Sequence, residues 1–169
     1  RFKCDWSSDV CSSDLELAHQ IVYVKDDTEF NESFAVVAER EGLRRWLAAH
    51  GSEVDRETQA RMQRYRADFV ALMRAQRVKL DALYAKGGAP ETLREAKRQA
   101  FIDMRAAYEQ LKTQWGGYAG YDRWFEQAPN NALLASVNLY TQRVPAFEAL
   151  LRAHDYDLPR RSEEHTSEL

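Results

Sequence analysis

The chain has 169 residues, with 24 Lys and Arg set against 27 Asp and Glu, for a net charge of −3. A charge so near balance gives no field for gripping nucleic acid or an anionic membrane surface. No apolar run approaches the roughly 18–20 residues of a membrane span, and the length suits one modest domain or part of a larger one, of open oligomeric state.

The two ends differ from the Ala- and Arg-rich segment between them. Arg161 to Leu169 can be encoded as AGA TCG GAA GAG CAC ACG TCT GAA CTC. The reverse complement of that string, read from its second base, gives Ser7-Ser8-Asp9-Val10-Cys11-Ser12-Ser13-Asp14 and then Leu15. Two natural termini are not expected to be antisense copies of each other. The string also looks like a common sequencing adapter, whose continuation GACTGG supplies Asp5 and Trp6. Residues 1–15 and 161–169 are therefore expected to be adapter-derived and are set aside from the fold. That leaves 16–160 as an internal fragment. Both cysteines, Cys4 and Cys11, fall in the first tail, so cysteine spacing says nothing about redox compartment.

The rest reads as mainly α. A first helix holds ELAHQIVYV, and a polar connection, KDDTEFN, leads to a second, ESFAVVAEREGLRRWLAAH, that Gly51 can end. Phe34, Val37, Ala38, Trp46 and Leu47 fit one face of it, with Gly42 weakening the middle. A long helix is predicted over Glu53–Lys86, where Met62, Tyr65, Phe69, Leu72, Met73, Leu80 and Leu83 recur at three- and four-residue steps. GGAP breaks it, and Pro90 suits the first turn of the next helix. That helix runs to about Trp115 with Leu93, Ala100, Phe101, Met104, Tyr108 and Leu111 on one stripe. Together they predict a long antiparallel helical hairpin. The aromatic stretch GGYAGYDRWFEQAPNN reads as a loop, followed by a helix over ALLASVNLYTQRV and a last one begun by Pro145. No strand, repeat or low-complexity tract stands out.

Glu16-Leu17-Ala18-His19 reads as the last four residues of H-E-x-x-H. In that motif two histidines four apart lie on one helix face and grip one zinc, while the glutamate reaches the water on the metal. A catalytic zinc needs three protein ligands and an open position. The downstream candidate is Glu32, in what the pattern makes the first turn of the second helix after an Asn31 N-cap. E-x-x-H alone is a common pattern. The plainer reading makes His19 a partly buried hydrogen-bonded residue, Glu16 a solvated charge and Glu32 a dipole-favoured acid.

The run ELAHQIVYVKDDTEFNESFAVVAEREGLRRWL resembles the bacterial putative aminopeptidase family, a zincin-type, gluzincin-like group. The similarity continues into NNALLASVNLY and VPAFEALLRAHDYDLPR, covering nearly all of 16–160. The resemblance implies a helical zinc metallopeptidase acting on peptide substrates, with Glu16 as general base and His19 and Glu32 as zinc ligands. It also implies a periplasm-facing or envelope location, since family members often resemble envelope lipoproteins. The family has histidine where this chain has Leu15, so the third ligand is missing and the chain as written is expected to be inactive. Tyr121 and Tyr140 are candidate oxyanion or substrate contacts by location, and Asn130 and Asn131 could orient substrate. Packing for the tyrosines and helix capping for the asparagines are the plainer roles. Two other readings stay open: a metal-free helical scaffold or binding module, and a zinc endopeptidase. The acidic group that would hold a substrate's free amine is not identifiable in the sequence.

Overall fold

The computed structural model describes residues 18–126 and 130–155, with the side chains of 138 and 139 excepted. The described residues are mainly helical and contain no strand. After helical residues 18–21 come α1 (Thr28–His50), α2 (Glu53–Lys86), α3 (Pro90–Gln114), α4 (Asp122–Glu126), α5 (Asn131–Leu139) and α6 (Val144–Ala153). They divide into two compact units. One holds the described residues within 57–137, and the other holds 18–56 with 138–155.

The first unit is built on the hairpin. Gly87 and Gly88 take positive φ angles of 68° and 141°, which a Cβ disfavours, and so reverse the chain between α2 and α3. The part of α2 around Tyr65 and Asp68 then meets the end of α3. The Tyr65 hydroxyl donates to the Trp115 carbonyl at 3.0 Å, and the Trp115 indole N–H donates to Asp68 at 3.0 Å. The predicted stripe is the seam: Phe69, Met73, Leu80, Met104 and Tyr108 are buried, with Leu72, Leu83 and Phe101 packed against them.

The stretch expected to be a loop is part of this core. Gly116 and Gly117, at φ 69° and 86°, turn the chain out of α3, and the Gly117 N–H caps the Lys112 carbonyl at 2.9 Å. The short α4 then returns the aromatics to the hairpin. Tyr121 stacks on Phe69 with centroids 4.0 Å apart, and Phe125 stacks on Tyr108 at 4.3 Å.

In the second unit α1 packs against α6. Val36, Val37 and Val144 form its buried cluster with Phe147 and Leu151 against them, and Phe30 and Phe34 meet the Phe147 ring edge-on. Arg40 pairs with Glu148 across the same two helices. Trp46, expected on the inner face of α1, is 55 % exposed and stacks on His50 instead. Leu47 takes the inward position. Buried Glu41 is held by Arg44 and Arg45, whose hydrogen bonds lower its pKa against the cost of burial.

Candidate metal centre

Helical residues 18–21 stop earlier than the predicted helix, which was expected to include Val22–Val24. β-Branched Ile21, Val22 and Val24 are indifferent helix formers, and a competing partner takes the Val24 backbone. The Asn31 side chain accepts from the Val24 N–H and donates to its carbonyl, each at 2.8 Å. With Asn31 used this way, Asp27 becomes the N-cap of α1, its carboxylate accepting from the Phe30 N–H at 3.0 Å. The helix therefore begins at Thr28, and Glu32 lies in its second turn rather than its first.

This short return brings two predicted site residues together. His19 Nε2 stands 3.8 Å from Glu32 Oε1, and the side chains are 20 and 21 % exposed. The separation is too long for a hydrogen bond. Two ligands about 2.0–2.1 Å from one tetrahedral zinc stand about 3.3 Å apart, so a small side-chain rotation would seat both on one ion. An imidazole and a carboxylate also suit zinc chemically. The other ring nitrogen, His19 Nδ1, is buried and has no hydrogen-bond partner among the described residues. The Tyr23 ring meets the imidazole edge-on, with centroids 6.4 Å apart. Among the described residues no group of three metal-binding side chains occurs. Leu15 and Glu16 lie outside the described residues.

Tyr140, a candidate by location only, lies where the Glu32 carboxylate acts on its phenol. Burial first, and then the nearby Glu32 charge, raise the phenol above its ordinary pKa. The segment after it is tied to the start of α1. Arg143 pairs with Asp27 at 3.1 Å and with Glu29 at 2.9 Å, and its N–H donates to Ser33 Oγ at 3.3 Å. Neither the Asn31 clamp nor the Arg143 tie was identified in the sequence. The available signal is an asparagine next to a candidate ligand, a pattern that equally fits a helix cap.

The remaining candidates belong to the other unit or to its capping. Tyr121 is buried in the aromatic core against Phe69. Asn130 Oδ1 accepts from the Leu133 N–H at 3.0 Å as the cap of α5, and Asn131 Nδ2 donates to the Tyr84 hydroxyl at 3.3 Å.

A family model described as putative aminopeptidase matches residues 15–167. The chain belongs to that family, and at the coarse level the family carries, its function is peptidase-like. The match opens at Leu15 and extends past Arg160. Comparison with curated proteins and with solved structures finds no match.

Proposed function

We propose that the site is that of a zinc-dependent aminopeptidase of the H-E-x-x-H type, with His19 and Glu32 as two of three protein ligands. The observation that carries the reading is the 3.8 Å approach of His19 Nε2 to Glu32 Oε1, a span suited to a shared ion rather than to a hydrogen bond. When bound, the ion would polarise the scissile carbonyl and acidify the attacking water. Glu16, three residues before His19, takes the water's proton and passes it to the leaving amine. His19 would hold the ion through Nε2, which would leave Nδ1 as the N–H for a partner to orient.

The third ligand position is held by Leu15, which has no donor atom, so this polypeptide is proposed to be inactive. Leu15→His should restore much of the metal affinity. Losing an oriented partner of a ligand alone costs about 10–100-fold, and losing a ligand costs more. Calorimetric zinc titration of the two folded chains side by side is the test. The histidine version should bind more tightly by well over that factor. Equal binding would place the metal elsewhere, and binding by neither would leave a metal-free helical module as the better account.

A further inference from the structure

His19 and Glu32 stand on different helical segments, and residues 22–27 link them without helix. Such a link has many conformations, and one of its residues, Asp26, holds a φ of 63° that a side chain disfavours. The link alone therefore does not set the distance between the two side chains. Asn31 does. Its side-chain amide meets both backbone groups of Val24, accepting from the N–H and donating to the carbonyl, each at 2.8 Å. The Asp27 N–H donates to the same carbonyl at 3.3 Å, and the Val22 N–H returns to the Ala18 carbonyl at 3.2 Å. Together these bonds fasten the His19 turn, through Val24, to the first turns of α1.

Asn31 directly precedes Glu32 and is 3 % exposed, so clamp and carboxylate leave adjacent positions of one helical turn. The residue type matches its partner closely. A carboxamide offers an acceptor and a donor side by side, as a backbone N–H and C=O require, whereas aspartate lacks the donor and alanine lacks both. Metal ligands have to be held within about 0.5 Å of their productive geometry, and His19 and Glu32 are a small rotation from it at 3.8 Å. Resting on the zinc reading above, we infer that Asn31 is the positioning residue of this pair, locking the imidazole-bearing turn to α1 at the separation one ion spans. Its amide is consumed by Val24, so it acts through the chain and not on the ion.

The test uses the full chain carrying Leu15→His, with Asn31→Ala, Asn31→Asp or, as a control, Leu151→Ala. Leu151 packs on the Val36, Val37 and Val144 cluster, so truncating it loosens the same unit without touching the clamp. Asn31→Asp keeps the size and one of the two bonds, so it stays folded and decides the matter if Asn31→Ala does not fold by circular dichroism. Cobalt(II) serves as the probe because its visible bands report ligand geometry. Asn31→Ala should weaken cobalt binding by about 10-fold or more and alter those bands, and Asn31→Asp should do the same to a smaller degree. Leu151→Ala should lower the thermal midpoint and leave the bands as they are. Unchanged affinity and bands in a folded Asn31 variant, or the same change in Leu151→Ala, would overturn the assignment. A metal-free arm separates the two ideas. In the ¹⁵N-histidine-labelled chain, Glu32→Gln should move the His19 ring resonances, assigned through His19→Gln, and should move them far less once Asn31 is also replaced. If the Leu15→His chain binds no cobalt, the metal reading fails, and this comparison alone decides whether Asn31 sets the approach. Equal movement with and without Asn31 overturns the positioning role as well.

Discussion

Asp122 accepts two donors at once, the Lys112 ammonium on one oxygen and the Tyr108 hydroxyl on the other, both at 2.6 Å. The hydrogen bonds from Lys112 first and Tyr108 second hold its carboxyl below the usual carboxylate range. A carboxyl depressed in the folded state adds stability above its unfolded value, about 3.9, and that stability is lost as pH falls through the lower folded value. Asp122→Asn should therefore lower the thermal midpoint at neutral pH, and its deficit should shrink below about pH 4. A deficit constant from pH 6 to 3 would mean that the charge is not what matters. Residues also mark where the sequence stopped being readable. His19 and Glu32 were legible because motif and resemblance single them out locally. The tie of Arg143 to Asp27, Glu29 and Ser33 was not, because it depends on α6 docking on α1, which no local pattern encodes. Asn31 departs from the expected cap because an asparagine before a helix can cap it or clamp a neighbouring turn of chain, and with Asp27 as the cap it does the second.

Between α2 and α3 the hydrophobic period reports the packing faithfully, since a 3.6-residue repeat sustained over both helices leaves one face for each to bury. The aromatic segment after α3 was less legible. Its glycines signal a turn, but nothing local says that Tyr121 and Phe125 then return to stack on Phe69 and Tyr108. That return makes Phe69 a keystone of the unit. Phe69→Ala should cost about 3–5 kcal/mol in urea unfolding, a large part of the roughly 5–15 kcal/mol a domain has. Trp46→Ala in α1 should change stability by only about 0.5 kcal/mol, because that ring is largely in solvent. Comparable losses for the two would contradict the described burial.

The whole chain divides at places the sequence does not advertise. One boundary falls between Arg56 and Glu57 inside α2, the other between Val137 and Asn138 inside α5. The first lies in a polar run, Asp55 to Gln59, that continues as helix, and the second has no Gly, Pro or polar run by which linkers are recognised. The terminal segments make a separate claim on the molecule. If 1–15 and 161–169 are adapter-derived, a chain trimmed to 16–160 should keep its helical circular dichroism and thermal midpoint. The family match reaches Ser167, so the C-terminal cut is the sharper half of that comparison. Lost cooperativity on trimming there would assign those residues to the fold.

The two hydrogen bonds between Asn31 and Val24 have a kinetic signature. An amide in a short non-helical link ordinarily exchanges with heavy water quickly, for want of a backbone partner. The Val24 amide is bonded to the amide side chain of a residue 3 % exposed, so it should exchange slowly. Asn31→Ala would release it. The lifetime of that single proton therefore clocks how often the tether between the imidazole-bearing turn and the carboxylate-bearing helix comes undone.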